Sequence, residues 1–171
     1  MKTRTHDNNT SGQALIELAI VLPLLVLLVV GVFDFSRAIH ANNIISNVSR
    51  EGANLSSRTS FAAQDIMNVL ADTAQPLKMQ NNGMMYVTVV NGVTGGDPAI
   101  QSQTGWQNSS LKNTISSRLG TTVNPTTHSL AALNLQTGQT VNVVEVFYNY
   151  QSLFSSNVTR LTRQLYSKTI L

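Results

Sequence analysis

Glu17 is the residue of this chain whose chemistry is hardest to accommodate. It is the only ionisable residue between Ala14 and Phe33, a stretch that is otherwise almost wholly apolar. A charged side chain at the centre of a bilayer costs about 2.5–3.5 kcal/mol or more, and less near the interface. Two interpretations follow. Glu17 either meets a cationic group supplied by another subunit, or lies protonated or at the interface with no role.

The histidines and the other acids form no catalytic or metal-binding pattern. His6, His40 and His128 lie far apart in the sequence. Asp65 and Asp72 share a predicted helical face, but about 10 Å of helical rise separates them. Catalysis requires acids, bases or nucleophiles that converge in a pocket. The chain also has no cysteine. We therefore predict no enzyme, no metal and no cofactor; a secreted enzyme would need a convergent polar pocket in the sheet region.

Glu145 is the most unusual acid after Glu17, because it lies within an apolar strand pattern. Buried acids are normally paired, so we predict that Glu145 pairs with Arg163 or Lys168 across a sheet. Trp106 is the only tryptophan, and we interpret it as an anchor of the core or of a loop.

The apolar stretch around Glu17 has the length of a membrane span, for which about 20 residues suffice. We predict a transmembrane helix over residues 13–33, with Pro23 and Gly31 as helix-packing positions and a bend at Pro23. A cleaved secretory signal is the competing interpretation. Its apolar region is usually shorter and precedes a small-x-small site, which is lacking after Phe33.

The flanking charges set the expected orientation. Lys2 and Arg4 precede the span and favour a cytoplasmic N-terminus, with the rest of the chain outside the cytoplasm. Asp34 and Arg37 are predicted to pair at the membrane boundary, although a solvated boundary is also consistent with them. Charged residues make up 11% of the chain and the net charge is +3. Without a basic cluster, nucleic acid is not an expected partner.

The periodicity of the remaining chain predicts an α+β fold, in which a long N-terminal transmembrane helix precedes a small antiparallel sheet domain. Apolar residues at steps of three and four from Ala38 to Leu55 continue the first helix, within a helical region 34–75. The strand-rich region is 76–171. Further predicted elements are helices at Ala62–Ala74 and Ser110–Leu119, and strands at Met84–Val90, Thr140–Tyr150 (central) and Leu161–Leu171 (edge).

The residues from Gly12 through Glu17, followed by an apolar helix with Pro23, resemble the N-terminus of type IV pilin-like proteins. The fuller resemblance, over roughly residues 11–58, is to TadE-like minor pseudopilins of tight-adherence (Flp-type) pilus systems. It includes Gln13 after the glycine, Asp34-Phe35-Ser36-Arg37 and Ser49-Arg50-Glu51-Gly52-Ala53.

The resemblance implies that a prepilin peptidase cuts between Gly12 and Gln13, so that residues 1–12 are a leader peptide. Glycine would let the backbone lie extended in that enzyme. Cleavage would create an α-amine on Gln13, positively charged near neutral pH, and Glu17 would pair with such an amine of a neighbouring subunit.

The implied location is the bacterial inner membrane, spanned once, with incorporation into a pilus as a further expectation. The implied partners are the peptidase, other pilins or pseudopilins, an inner-membrane assembly platform and membrane lipid. The alternative is a membrane-tethered envelope binding module that keeps its leader and never assembles.

Overall fold

The computed structural model describes residues 9–153 and 162–171. The chain divides into two units, of which the first ends at Ala38 and the second begins at Ile39. Helix α1 (Asn9–Arg58) is continuous in sequence through the end of the first unit and into the second. The predicted continuation of the first helix past the apolar segment is therefore confirmed.

In the first unit, α1 presents an uninterrupted apolar surface. Every side chain from residue 12 to residue 29 is exposed, and the most apolar window has a mean hydropathy of 2.9 with none of it buried. Length and composition suit this helix to cross a membrane once. A helix satisfies its backbone hydrogen bonds internally, as lipid requires, except that Pro23 offers no N–H to the carbonyl one turn earlier.

The elements that follow α1, in chain order, are α2 (Ala63–Thr73), α3 (Met79–Asn82), β1 (Gly83–Asn91), β2 (Ala99–Gly105), α4 (Thr127–Ala131), β3 (Thr140–Gln151) and β4 (Thr162–Ile170). The strands form a four-stranded antiparallel sheet in the order β2-β1-β3-β4. The α+β prediction is confirmed, with β3 inside the sheet and β4 at its edge.

One face of the sheet packs against the C-terminal part of α1. A Cβ placed on Gly52 would lie 2.8 Å from Leu70 Cδ1 of α2 and 3.1 Å from Val144 Cγ1 of β3. A side chain at this position would require Leu70 or Val144 to shift, so glycine favours the close approach of α1, α2 and the sheet. Ser49, fully buried on the same helix, hydrogen-bonds to Ser167 and Thr169 of β4.

The other face of the sheet is covered by the chain between β2 and β3. Leu119 and Leu130 of this connection form a core cluster with Val90 of β1 and Val143 of β3. Tyr86 of β1 reaches the same connection, since its hydroxyl donates to the backbone carbonyl of residue 115 at 2.7 Å. The two inner strands, β1 and β3, are therefore buried on both faces, whereas the residues of β2 and β4 stay half-buried or exposed. This explains the nearly continuous apolar sequence of β3.

The prediction of a helix at Ser110–Leu119 is wrong. This segment forms turns, although Ile115 and Leu119 point inward as expected. The Ser109 hydroxyl accepts the backbone N–H of residue 111, and the Ser117 hydroxyl accepts that of Leu119. The Ser117 hydroxyl thus takes the backbone donor of Leu119, which a helix would have used, whereas the Ser109 bond is of the kind that also caps a helix start. Strand β2 and the short α4 were not predicted, because neither carries a clear apolar period.

Candidate functional site

Gln13 and Glu17 lie one turn apart on α1, as their spacing of four residues requires. The Gln13 side-chain Nε2 donates a hydrogen bond of 3.2 Å to Glu17 Oε1, and both residues are exposed. Gln13 therefore brings an amide to the one acid of the apolar segment. A neutral amide leaves the negative charge of an ionised carboxylate uncompensated.

Gly12 lies inside α1 rather than in an extended segment, because the helix begins at Asn9. Asn9, Thr10 and Ser11 are residue types that favour helix starts. A Cβ placed on Gly12 would meet nothing within 4 Å. The backbone at the predicted cut is thus helical and unencumbered by neighbouring side chains.

The other predicted site residues of α1 lie within the apolar segment or just after it. Pro23 lies in the middle of the exposed stretch, and Gly31 is half-buried. A Cβ on Gly31 would also meet nothing within 4 Å. Asp34 and Arg37 lie three residues apart on the same helix. Helix packing by Pro23 and Gly31, and pairing of Asp34 with Arg37, stay predictions.

Glu145 is fully buried on β3, and its carboxylate is held by hydrogen bonds from three neutral groups. The donors are the Ser117 hydroxyl, the Arg118 backbone N–H at 3.1 Å and the Tyr166 hydroxyl at 2.9 Å. Buried polar groups are normally hydrogen-bonded, and these three donors satisfy the Glu145 side chain.

The predicted salt-bridge partners of Glu145 are not the groups that hold its carboxylate. Arg163 lies opposite Tyr150 in the β3–β4 register, too far along the strand to reach Glu145. Lys168 lies directly opposite Glu145 but is exposed, whereas the carboxylate is buried. The lysine ammonium stays in water, because Ser117 and Arg118 of the connection already occupy the buried carboxylate.

Aromatic rings and one guanidinium surround the Glu145 carboxylate. The Arg118 guanidinium carbon lies 3.9 Å from the centre of the Tyr166 ring. Burial, followed by the negative charge of Glu145, raises the pKa of the Tyr166 hydroxyl well above its ordinary value, as does its hydrogen bond to Glu145, while Arg118 opposes this shift. The pKa of Tyr86 is raised by burial and by Glu145. The cluster joins the connection to β4, which is a structural role.

The histidines and acids considered for catalysis do not converge in the described part of the chain. His40 is exposed on α1 and His128 is exposed on α4, whereas His6 lies outside the described residues. Asp65 and Asp72 are exposed on α2. Among the residues that the structure describes, no group of three or more histidine, cysteine or acidic residues could hold a metal ion.

Sequence reasoning missed a polar network around Trp106. The indole Nε1 donates to Asn68 Oδ1 at 2.8 Å, and Asn108 Nδ2 donates to the same oxygen at 2.9 Å. Trp106 is 3% exposed, in keeping with its interpretation as an anchor. The spacing of about 40 residues gives no local pattern that could have revealed its partners.

Residues 12–54 match the model of a family described as TadE-like protein. This finding confirms the resemblance seen in the sequence, over the apolar segment of α1 and most of its continuation. The match indicates a pilus-associated protein with an N-terminal membrane helix. Residues 55–171 lie outside the matched segment. Comparison with curated proteins and with solved structures finds no match.

Proposed function

We propose that this chain is a minor pseudopilin-like structural or assembly protein of a tight-adherence (Flp-type) pilus. It is cut by a prepilin peptidase after Gly12 and packs through its N-terminal helix. One observation carries the proposal: a helix with a fully exposed apolar surface over residues 12–29 holds a single acid, Glu17, one turn after Gln13. The TadE-like match covers the same residues.

The exposed apolar side chains of α1 require an apolar environment. Leu15, Ile16, Leu24 and Leu27 are each more than 60% exposed. Exposed apolar residues in such a continuous run are unfavourable in water, and lipid or other helices of the same kind remove that cost. A bilayer before assembly, and neighbouring pilin helices after it, supply both surroundings.

Glu17 supplies what lipid and apolar helices lack, which is a point of attraction. Cleavage leaves a protonated α-amine on Gln13 of each mature subunit. One oxygen of Glu17 accepts the Gln13 amide of its own chain, and a carboxylate has lone pairs for further donors. An amine from an adjacent subunit then completes a charge pair whose strength grows in the low dielectric of lipid.

The remaining assignments follow from this role. The N-terminus faces the cytoplasm, where the peptidase and the assembly platform act. The sheet unit lies outside the cytoplasm and carries the contacts between subunits or at a tip. The partners are other pilins or pseudopilins and membrane lipid, and catalysis is not part of the role.

Mass spectrometry of the mature N-terminus tests the proposal. In cells with an active prepilin peptidase, we expect a chain that begins at Gln13. Gly12→Ala should leave the leader attached. Gly31→Ala is the matched control, because a Cβ at either glycine meets nothing within 4 Å and both lie on α1. Gly31→Ala should be processed normally.

An intact N-terminus at Met1 in those cells contradicts the proposal. The chain would then be a membrane-tethered envelope module that is neither processed nor assembled. Equal processing of Gly12→Ala and the unaltered chain contradicts the assignment of the cut to this glycine.

A further inference from the structure

Within the second unit, an open polar cleft lies between α2, the segment leading into α3, and the chain that follows β2. Its volume is about 460 Å³, within the range of roughly 300–1,000 Å³ that is usual for small-molecule sites. Its lining combines five carboxamides, one acid and one lysine with Trp106 and the apolar residues Ala71, Leu77 and Met79. The lining residues that matter here are Asn68, Asp72, Gln75, Lys78, Trp106 and Asn108.

Trp106 fixes the position of the carboxamides at one wall of the cleft. An indole N–H can only donate, so the atom of Asn68 that faces it at 2.8 Å must be the carbonyl oxygen. Asn108 donates to that same oxygen at 2.9 Å through its Nδ2. Because Trp106 is buried, it acts as a positioning residue and not as an exposed stacking platform.

The hydrogen bonds among Trp106, Asn68 and Asn108 leave other donors and acceptors of the cleft available to a ligand. Both lone pairs of Asn68 Oδ1 are used, whereas its Nδ2 donors are not used by these bonds. Asn108 keeps its Oδ1 as an acceptor, and the Asp72 carboxylate adds further acceptors. Lys78 adds three donors. The cleft thus presents donors and acceptors side by side on a wall held in place by a buried ring.

A hydroxyl group is both donor and acceptor, so a ligand with several hydroxyls satisfies such a mixed lining. The charges of Asp72 and Lys78 cancel, which disfavours phosphates and polycations. The five carboxamides of the lining disfavour a wholly apolar ligand. Asp72 is the sole acid among the lining residues in the described part of the chain. Hydrolysis of a glycosidic bond normally requires two carboxylates, so the chemistry suits binding without cleavage.

We propose that this cleft binds a neutral oligosaccharide through its hydroxyl groups. The site lies on the part of the chain that the TadE-like match does not cover. It does not depend on cleavage after Gly12 or on assembly through α1. A glycan-binding site would give the outer unit a ligand of its own.

Binding is measured on the full chain in a micelle whose detergent headgroup carries no sugar. Saturation-transfer nuclear magnetic resonance detects binding of two neutral probes, maltotriose and tri-N-acetylchitotriose, with a polygalacturonate fragment as an anionic probe. Trp106 is the only tryptophan, so its fluorescence reports whether binding occurs at this cleft. We expect saturable binding of at least one neutral probe at millimolar concentration, with a change in Trp106 emission.

Asp72→Ala and Asn108→Ala remove exposed lining groups and should each weaken binding at least about tenfold, or 1.4 kcal/mol. Asp65→Ala is the matched control, an exposed aspartate of the same helix outside the lining, and should leave binding unchanged. Absence of transfer to both neutral probes, binding of the anionic probe alone, or equal affinity in the cleft variants and the control would each overturn the proposal.

Discussion

Glu17 and Glu145 both lie in apolar stretches of the sequence, but Glu17 is exposed in the structure and Glu145 is buried. Glu145 is buried and receives hydrogen bonds from Ser117, Arg118 and Tyr166. Glu17 is exposed on an apolar helix and accepts one bond from the amide of Gln13. The first acid is satisfied within its own chain, as buried polar groups normally are. The second has capacity left for a partner, which is the basis of the proposed subunit pairing.

Replacing Glu17 separates insertion from assembly. Glu17→Val removes a polar group from the apolar segment, so we expect membrane insertion to improve and pilus assembly to fall at least about tenfold. Counting of pili by electron microscopy and membrane fractionation measure the two effects. Glu51→Val, at an exposed glutamate of α1 outside the apolar segment, is the control. Undiminished piliation in Glu17→Val would contradict the pairing.

Tyr166 gives a prediction about alkaline stability. Its pKa is raised above an ordinary value of 10.0, so the folded chain holds this proton at pH values where the unfolded chain has lost it. The resulting stabilisation is fully present below pH 10 and is lost as the pH rises through the folded pKa. Tyr166→Phe should flatten this alkaline loss. It should also cost about 0.5–1.5 kcal/mol at neutral pH, because the hydrogen bond to Glu145 disappears.

Urea unfolding of the full chain in micelles, repeated at several pH values, measures both effects. Tyr86, whose pKa is also raised, still contributes to the alkaline loss of stability in the variant. The dependence of the unfolding free energy on pH should therefore become weaker without vanishing. A variant with the same alkaline slope and the same neutral stability would show that the bond to Glu145 contributes nothing.

At the scale of elements, α1 combines two surfaces in one helix. Its N-terminal part is apolar all round and exposed, whereas its C-terminal part buries one stripe that includes Ala41, Ile45 and Val48. The sequence predicted both, because a continuous apolar run and a period of three and four residues are distinct signals. Helix α2 and strands β1, β3 and β4 were predicted for the same reason.

The elements that sequence patterns could not predict are those held by distant or polar contacts. Strand β2 is mostly polar and has a register shift opposite Val89 and Val90, so it shows no apolar alternation. Two of the three partners of Glu145 lie in the connection between β2 and β3, 27 and 28 residues earlier. Pairing across neighbouring strands predicted Lys168, which does lie opposite Glu145. It could not predict that the connection between β2 and β3 covers the face on which the Glu145 side chain lies.

Gly52 tests the packing of α1 on the sheet. Gly52→Val would place atoms within 2.8 Å of Leu70 and 3.1 Å of Val144. Overpacking of this kind costs about 1–3 kcal/mol. Asn54→Val controls for the lower helix propensity of valine, because Asn54 is exposed on the same helix. The free energy of urea unfolding should fall for Gly52→Val and change little for Asn54→Val. Equal losses in the two variants would contradict the close approach.

At the scale of the whole molecule, the family match informs on the N-terminal helix, whereas the sheet unit is known only from its structure. The TadE-like match ends at residue 54, so it covers the apolar helix and most of the stripe that packs on the sheet. The sheet unit beyond it must be understood from its own contacts. This division is consistent with the two proposals, in which the helix serves assembly and the second unit binds a ligand.

The most direct measurement of the proposed pairing is zero-length cross-linking inside the membrane. A membrane-permeable carbodiimide activates carboxylates and joins them to adjacent amines as amides, which mass spectrometry locates. Mixed light and heavy isotope-labelled subunits distinguish links between chains from links within one. We predict a link between Glu17 of one subunit and the N-terminal amine of another, at Gln13 where that subunit is a second copy. Unlinked Glu17 in a chain that still begins at Met1 would contradict the account.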